Sequence, residues 1–581
     1  MNDGNIDRVA SARGWWAAVA LLVCGFLVWT YGELLHATSA RWQDTSGYLA
    51  HALYIAEHGG FWGFLRECFT GTFPITERHP LYMLMLAPFA ERTADFFMLA
   101  KWIDLWTGLA VLLSLIWMVA RRYGRGAALI AGMLYALSNS LVIASSHVDN
   151  EMQFVLCTLW TWWFLTEPAP GSGASDAMPV SRTRWALAGL WLGLAYLAKS
   201  PAVLMGVAVV VAGMWHARPR FIADRRLWMF LLVTALLSSP LVVRNLIGFG
   251  TPFYEGINSH IMWIDKWTDI GSEQSSIYYD QYGVTTIEAN GMPTAADYFR
   301  THSLLDVVKR LGSGFANELT NVIPSALGPS LQIPRYRLIG MGVFVLALAG
   351  WWLRRKSWDA CLVFFWSAAF LVFFSWDTMF PEIRYLAPLI PVWIAFAAHT
   401  IWQVSERVLK SRAFIAVVCA LCLTTLGTLG WTTAKGAYNR PQSLMEASPS
   451  YLRFVDWLNN TLESGDRIMI GETREFHGLI WMVKRPVGVV LMPDADSLDG
   501  FLRYLRERKV RYLLMHAEYL TGTNRRLAGA LEPYFAVQPD GAFIERQRLP
   551  GWHPVYADDP AMRHFIVYEP DTYAAQHQAA P

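Results

Sequence analysis

The sequence predicts an α-helical polytopic membrane protein, with about eleven transmembrane helices, juxtamembrane helices on one side and a small C-terminal α/β domain. Three observations carry that expectation. Apolar runs long enough to cross ~30 Å of hydrocarbon recur down the chain, arginine-rich connections alternate with arginine-poor ones, and the composition changes after Ala434. With 54% hydrophobic residues and 28 Trp among 581, the chain is not composed like an ordinary soluble enzyme. A net charge of +2, without a basic block or a Cys/His cluster, gives no sign of a nucleic-acid partner. Cys24, Cys157, Cys361, Cys419 and Cys422 lie in apolar runs, leaving Cys68 alone in a polar stretch, so a disulfide framework is not expected.

In chain order, Arg8 and Arg13 precede an apolar stretch, Trp15–Leu35, that is longer than a signal-peptide core and is read as a retained first helix. The further spans expected are Phe96–Ala120, Gly126–Ala144, Met152–Thr166, Trp185–Leu197, Pro201–Trp215, Trp228–Ile247, Leu338–Leu353, Trp358–Trp376, Leu386–Val404 and Phe414–Trp431. Arg121, Arg122 and Arg125, then Arg182 and Arg184, the run from Arg218 to Arg226, Arg354 to Lys356, and Arg407, Lys410 and Arg412 all fall on the side of the N-terminus. The positive-inside rule makes that side cytoplasmic. The two largest loops, Leu35 to Phe96 and Gly248 to Arg337, and the C-terminal domain then lie on the periplasmic side of an inner membrane. In the first loop His79 to Ala90 is apolar but too short to span, and Pro80 suits a helix start, so a juxtamembrane helix is expected there. Pro201 breaks what would otherwise be one helix, leaving Lys199-Ser200-Pro201 as a tip at the outer boundary.

Two domains follow: residues 1–434 as the transmembrane unit and 435–581 as the periplasmic α/β domain. In the latter, Ser448-Pro449 opens an amphipathic run to Leu462, and Arg467–Ile470, Val487–Met492, Val510–Met515 and His564–Tyr568 read as strands. Leu498–Arg508 reads as a helix, Asp540-Gly541 as a turn, and Pro168 to Ala177 as a flexible loop in the first domain. No nucleotide fingerprint, zinc pattern or nucleophile elbow is present.

The expected outer face collects charge. Asp44 lies in the first loop within Gln43-Asp44-Thr45-Ser46-Gly47-Tyr48; Arg78 and His79 precede the juxtamembrane helix. Asp149 and Glu151 lie between two spans, Lys199 at the helical tip, Arg244 and Arg384 near span ends. Ionisable groups near hydrocarbon are costly and mark function by default. Their gathering at headgroup level suits an anionic lipid head. A sugar linked to a lipid phosphate needs cations on the phosphate and one carboxylate to take the acceptor hydroxyl's proton. It has no need of the second proton-donating carboxyl of a glycosidase. Each residue also has a structural reading. Asp-Thr-Ser-Gly is turn chemistry, Asp149 or Glu151 can cap a helix, Arg244 and Arg384 can snorkel, and Lys101 with Asp104 can form a helix-surface pair.

Several motifs add to this. Asp44-Thr45-Ser46-Gly47-Tyr48-Leu49-Ala50, Arg78-His79-Pro80-Leu81-Tyr82 and Gly193-Leu194-Ala195-Tyr196-Leu197-Ala198-Lys199-Ser200-Pro201 occur in that order. Pro240 to Asn245 with Phe249 to Phe253, and Arg384-Tyr385-Leu386, follow them. Together they resemble the GT-C-fold polyprenyl-phosphate-dependent glycosyltransferases, in particular bacterial members of the protein O-mannosyltransferase and lipid A aminoarabinose transferase superfamily. The resemblance implies that Asp44 is the catalytic base of an inverting transfer and Asp149 or Glu151 a second acidic element. It also implies that Tyr48, Arg78, His79, Lys199, Arg244 and Arg384 bind substrate, with Lys199 and Arg244 near the lipid phosphate. Where many relatives carry a second acid next to the first, this chain has Thr45. A divalent metal is therefore possible but not supported, and no other cofactor is expected. The expected partners are the polyprenyl-phosphate sugar donor, membrane lipids and an envelope acceptor that is a lipid, glycan or protein. The rival readings are a lipid-linked sugar transporter or flippase, whose site would sit at the midplane between repeated halves, and a non-catalytic membrane scaffold.

Overall fold

The computed structural model describes residues 12–36, 43–167, 178–265, 278–286, 293–329, 334–377, 382–406, 424–430 and 449–573, apart from short internal gaps, the longest of which is 471–480. The expected span Phe414–Trp431 lies mostly outside these residues. The loop Pro168–Ala177, the boundary near Ala434, the cations Arg407, Lys410 and Arg412, and the Asp540-Gly541 turn lie outside them altogether.

The first apolar run forms α1 (Ala12–His36). The stretch with turn chemistry after it is instead the opening of a helix, α2 (Gln43–Glu57), with Asp44 in its first turn. A carboxylate and small hydroxyl residues at a helix start satisfy the same unpaired N–H groups they would satisfy in a turn, which is why the two read alike. Helix α3 (Gly60–Thr70) is bounded by Gly59 (φ 94°) and Gly71 (φ 76°), left-handed positions that glycine adopts without strain. Pro80 opens α4 (Pro80–Leu86), which closes in a 3₁₀ turn at Ala87–Phe89, so the juxtamembrane segment is shorter than expected. Then come α5 (Ala94–Tyr123), α6 (Arg125–Leu137) and α7 (Asn139–Ala144). The expected span Gly126–Ala144 is therefore two helices. Ser138 leaves helical geometry between them, and its hydroxyl donates to Ala326 O at 2.8 Å.

Helices α8 (Glu151–Thr166), α9 (Arg182–Ala198), α10 (Ala202–Ala217) and α11 (Arg225–Phe249) follow, with the expected break at 199–201. The second long loop contains α12 (Asn258–Ile261), α13 (Ala295–Thr301), α14 (Leu304–Asn317) and α15 (Ile323–Leu327). Thr294 with Asp297, and Ser303 with Asp306, form reciprocal capping boxes that start α13 and α14. The bundle closes with α16 (Pro334–Leu353), α17 (Trp358–Trp376) and α18 (Ile390–Val404). Among the described residues five helices, within α1, α5, α11, α16 and α17, are long and apolar enough to cross a membrane. Helices of 15 to 17 residues such as α8, α9, α10 and α18 reach only ~22–26 Å at 1.5 Å per residue, short of a full crossing.

Arg122 and Arg354, from two of the arginine-rich connections, both face the buried Asp359 at the start of α17, at 3.6 and 3.4 Å. That puts the two connections at one end of the bundle. The long loops and the charged motifs gather elsewhere, at the ends of α7, α9 and α11 and the starts of α2 and α8.

The C-terminal strands β3 (Asp466–Ile470), β4 (Val487–Val490), β5 (Tyr512–His516), β8 (Trp552–Ala557) and β9 (Phe565–Pro570) form a mixed sheet, with β6 (Phe535–Val537) and β7 (Phe543–Glu545) pairing separately. The sheet order is β2-β1-β4-β3-β5-β9-β8, and β1 (Tyr278–Tyr279) and β2 (Thr285–Thr286) come from the second long loop. Tyr278 pairs with Val490, so this loop hairpin extends the C-terminal sheet. Alternate side chains divide between two cores. Ile468, Tyr512, Leu514, Phe565 and Val567 continue the core of the helical bundle through the helix Pro449–Thr461. Met469, Leu513, Met515, Ile566 and Tyr568 pack with the helix Leu498–Glu507 on the other face. Arg92 joins the two regions, donating to the carbonyls of Trp481 and Val483 and facing Glu57 at 3.3 Å.

Helix α14 lies against the end of α17 at Gly314, where an added Cβ would stand 1.9 Å from Ser375 O. Gly314→Ala is expected to lower stability by about 1–3 kcal/mol through forced separation of the two helices, read as a lower midpoint in thermal unfolding of the purified protein.

Candidate active site

The charged residues named from the sequence meet at helix ends, and Arg384 is the point where most of them converge. It sits in a 3₁₀ turn, Ile383–Leu386, just before α18. Its Nη1 lies 2.8 Å from Asp44 Oδ2 and 2.8 Å from Asp149 Oδ2; its Nε faces Glu151 Oε1 at 3.8 Å and is in close contact with Glu382. Arg78 approaches Asp44 from the other side, 3.2 Å from Oδ1, and also faces Glu77 at 3.6 Å. Lys199, at the C-terminal end of α9, pairs with Glu151 and lies over the ring of Tyr385 at 5.6 Å.

Each element presents its residue for a local reason. Asp44 and Glu151 occupy the first turns of α2 and α8, where the helix N-terminus favours negative charge. Lys199 follows the last turn of α9, where a cation is favoured. Thr45 donates to Val148 O at 3.1 Å, fixing α2 to the turn that carries Asp149. The Asp149 N–H reaches Asp104 Oδ2 at 3.4 Å, and Asp104 also accepts from Gln153 at 2.7 Å and from the Tyr82 hydroxyl. Lys101 donates to Leu34 O at 2.9 Å, tying α5 to the end of α1. Gly47 is required where the Arg78 guanidinium crosses α2, since a Cβ there would fall 2.4 Å from Arg78 Cζ. Tyr48 lies edge-on to Tyr82 at 5.4 Å and beneath Arg78 at 5.6 Å, so it is buried packing for the cation.

His79 and Arg244 stand to one side. His79 faces Glu255 at 3.6 Å and meets the Tyr196 ring edge-on. Arg244 donates to Ile75 O at 2.7 Å between the rings of Phe73 and Phe249, holding the chain that leads to Arg78. Its hydrogen bond thus goes to a backbone carbonyl, whereas Lys199 and Arg384 face carboxylates. Glu255 and Glu382 meet the named residues without being marked by any sequence signal, and Glu77 and Tyr385 lie beside Arg78 and Lys199. Glu382 and Glu255 fall in irregular stretches with no periodic signal, and only their pairing with Arg384 and His79 reveals them.

The electrostatics follow from this crowding. Burial alone would push the Asp44 and Asp149 carboxyls up. The cations together outweigh it, Arg384 with Arg78 at Asp44 and Arg384 with Lys199 at Asp149, so both are held below the usual carboxylate range. Glu255 is likewise held down despite burial, through His79. Exposure separates the three named acids: the side chain of Asp44 keeps 39% of its accessible surface, Asp149 14% and Glu151 2%. Of these three, Asp44 is the most accessible; Glu382, which also meets Arg384, keeps 35%. Among the described residues no group of three or more His, Cys, Asp or Glu is set to hold a metal ion; the acids converge on guanidinium and ammonium groups instead.

A bundle of this kind, with an ionic cluster at its helix ends and a sheet domain beside it, is the GT-C architecture. Residues 105–243, which include Asp149, Glu151 and Lys199, match the family described as dolichyl-phosphate-mannose-protein mannosyltransferase. Over nearly its whole length the chain superposes on ArnT from Cupriavidus metallidurans in the apo state, at 14% identity and a TM-score of 0.53, covering 96% of this chain and 98% of that one. The same protein bound to undecaprenyl phosphate matches at 13% identity and 0.52, with the same coverage. The archaeal oligosaccharyltransferase AglB from Archaeoglobus fulgidus, in complex with an inhibitory peptide and a dolichol-phosphate, matches at 12% and 0.54, covering 98% and 82%. No curated protein matches in sequence. At these identities the likeness is one of fold, and the chain shares the fold of these proteins.

Arg384→Gln leaves Asp44, Asp149, Glu151 and Glu382 without their common cation. In the parent protein the lowered carboxyls contribute stability that is present above the unfolded value of about 3.9 and lost as pH falls through the folded value. In the variant repulsion reverses that sign. A loss of about 3 kcal/mol is expected near neutral pH, shrinking toward about pH 4 as the acids protonate, read from thermal unfolding across a pH series.

Proposed function

We propose that the protein is an inverting glycosyltransferase. It moves a sugar from a polyprenyl-phosphate-linked donor to an acceptor lipid, polysaccharide or protein on the periplasmic face of the inner membrane. The observation that carries this reading is an accessible carboxylate, Asp44, held by Arg78 and Arg384 at a helix start, with Lys199 joined to the same cluster through Glu151. The family match over residues 105–243 and the shared fold support a glycosyltransferase, and the alternation of arginine-rich connections supports the side.

The donor's phosphate would take up the cations. Its leaving oxygen is already acidic, so charge neutralisation by Lys199 and Arg384 stabilises departure without a proton donor. The acceptor hydroxyl oxygen attacks the anomeric carbon from the face opposite the phosphate. The carbon–oxygen bond to phosphate breaks with its electron pair going to the phosphate, and the hydroxyl proton passes to Asp44. Two guanidinium groups make Asp44 a weak base at rest. A phosphate drawing Arg384 toward itself would restore the basicity of Asp44 when the donor is in place. Asp149 and Glu151 hold Arg384 and Lys199 in position from below. A transport reading is disfavoured by the placement of these charges at helix termini, away from the middle of the spans.

Asp44→Asn is expected to lower transfer from a polyprenyl-phosphate sugar by a factor of about 10²–10⁴ while donor binding persists, measured with the purified protein in lipid. Transfer at the parent rate would remove Asp44 as base.

A further inference from the structure

Helix α14, in the second long loop, is turned the reverse way from a helix packed in water. On a soluble surface the apolar stripe of an amphipathic helix covers the core and its charged side chains point out. In α14 a cation is inside. Arg310 is buried; its Nε donates to Trp376 O at 2.8 Å, Nη1 to Asp265 at 2.8 Å and Nη2 to Ile264 O at 3.0 Å. The apolar side chains are outside. Leu304, Val308 and Phe315 share one stripe at helical spacing, with Leu305 at its edge; Leu304 is 80% exposed and Val308 58%. A third stripe, Asp306, Lys309 and Ser313, is polar and exposed. The helix thus has a side for protein, an apolar side and a polar side. A helix lying at a membrane surface divides in the same way among neighbouring protein, acyl chains and water.

The place where α14 rests points to the same partner. Gly314 packs against Ser375 O near the end of α17, a helix long and apolar enough to cross a membrane. Around Trp376, the next residue, gather Trp263, Tyr298 and Phe299, with ring centroids at 5.6, 5.3 and 6.2 Å. Aromatic groups of this kind belong at the ends of spans, at headgroup level. Val372, one turn back along α17, is exposed as well, so the apolar flank of the span extends to the level of α14.

We infer that α14 lies in the plane of the membrane surface, with Leu304, Val308 and Phe315 among the acyl chains of the leaflet at this end of the bundle. The occupant of the stripe is a lipid surface because the stripe continues the flank of a span, and because Lys309 and Ser313 are left to the water side. The inference goes beyond the glycosyltransferase reading and does not rest on it. It also bears on the site. Phe374, beside Ser375, stacks on Tyr385 at 4.8 Å, next to Arg384 in the chain. The seat of α14 therefore sets the height of the ionic cluster relative to the lipid headgroups.

The test uses the full-length protein in nanodiscs of phosphatidylethanolamine and phosphatidylglycerol, with a nitroxide attached to Leu304→Cys, Val308→Cys, Lys309→Cys or Ser313→Cys in turn. Each spectrum is read against the parent protein labelled in the same way, since Cys24 is itself exposed. Collision with oxygen, which concentrates in hydrocarbon, is compared with collision with a water-soluble nickel chelate. The expected result is that oxygen dominates at Leu304→Cys and Val308→Cys, at a depth of about 5–10 Å below the phosphates, and nickel at Lys309→Cys and Ser313→Cys. Nickel reaching the first two labels as freely as the last two overturns the inference, since the helix then lies in water. Protection of the first two from both reagents overturns it as well, the stripe then being covered by protein, whether a partner, a second copy or another segment of this chain. Should one labelled variant misfold in thermal unfolding, the other position of its stripe supplies the same measurement.

Discussion

The site depends on one guanidinium shared among carboxylates from distant parts of the chain. Asp44, Asp149 and Glu151 approach Arg384 from far along the chain, and Glu382 from two residues before it. Away from bulk water, desolvation offsets much of the attraction in such a centre when it is complete, but the loss of any member leaves uncompensated charge and is strongly unfavourable. It therefore fixes the relative placement of the start of α2, the turn before α8 and the turn before α18. Arginine is suited to this role because its planar fork offers several donors at fixed angles, where an ammonium would offer a compact point charge.

The helix termini reinforce the arrangement. Acids stand at helix starts and Lys199 at a helix end, so the partial charges of the backbone already favour each side chain where it lies. The breaks that create these termini are written into local chemistry: Pro80 and Pro201 at helix starts, and Ser138 where a carbonyl of the second long loop offers its hydroxyl a better partner than the helix does. At the opposite end Asp359, between Arg122 and Arg354, performs the mechanical part of the same task without exposed acids.

Much of this was legible in the sequence. The spans were visible as apolar runs, the C-terminal strands as short β-branched runs, and the interruption at 199–201 as a proline after a lysine. What escaped reading has common physical causes. The first-loop motif looked like a turn because residues that satisfy backbone N–H groups in turns do the same at a helix start. Gly126–Ala144 looked continuous because hydropathy does not register a single hydroxyl that prefers a partner 188 residues away. Arg384 was recognised as one cation among several, whereas its position at the centre of the cluster arises from contacts separated by more than 200 residues.

The hairpin Tyr278–Thr286 belongs by sequence to the bundle's second long loop and by hydrogen bonding to the sheet, where it covers the outer edge of β4. The C-terminal module is consequently not a cassette. Transplanting it at the sequence boundary onto another bundle would leave β4 with a bare row of amides and carbonyls, an invitation to self-association. Evolution or an engineer exchanging that module has to move two separate stretches of chain together, and the nearer of them is anchored in the same loop that supplies Glu255 to the site.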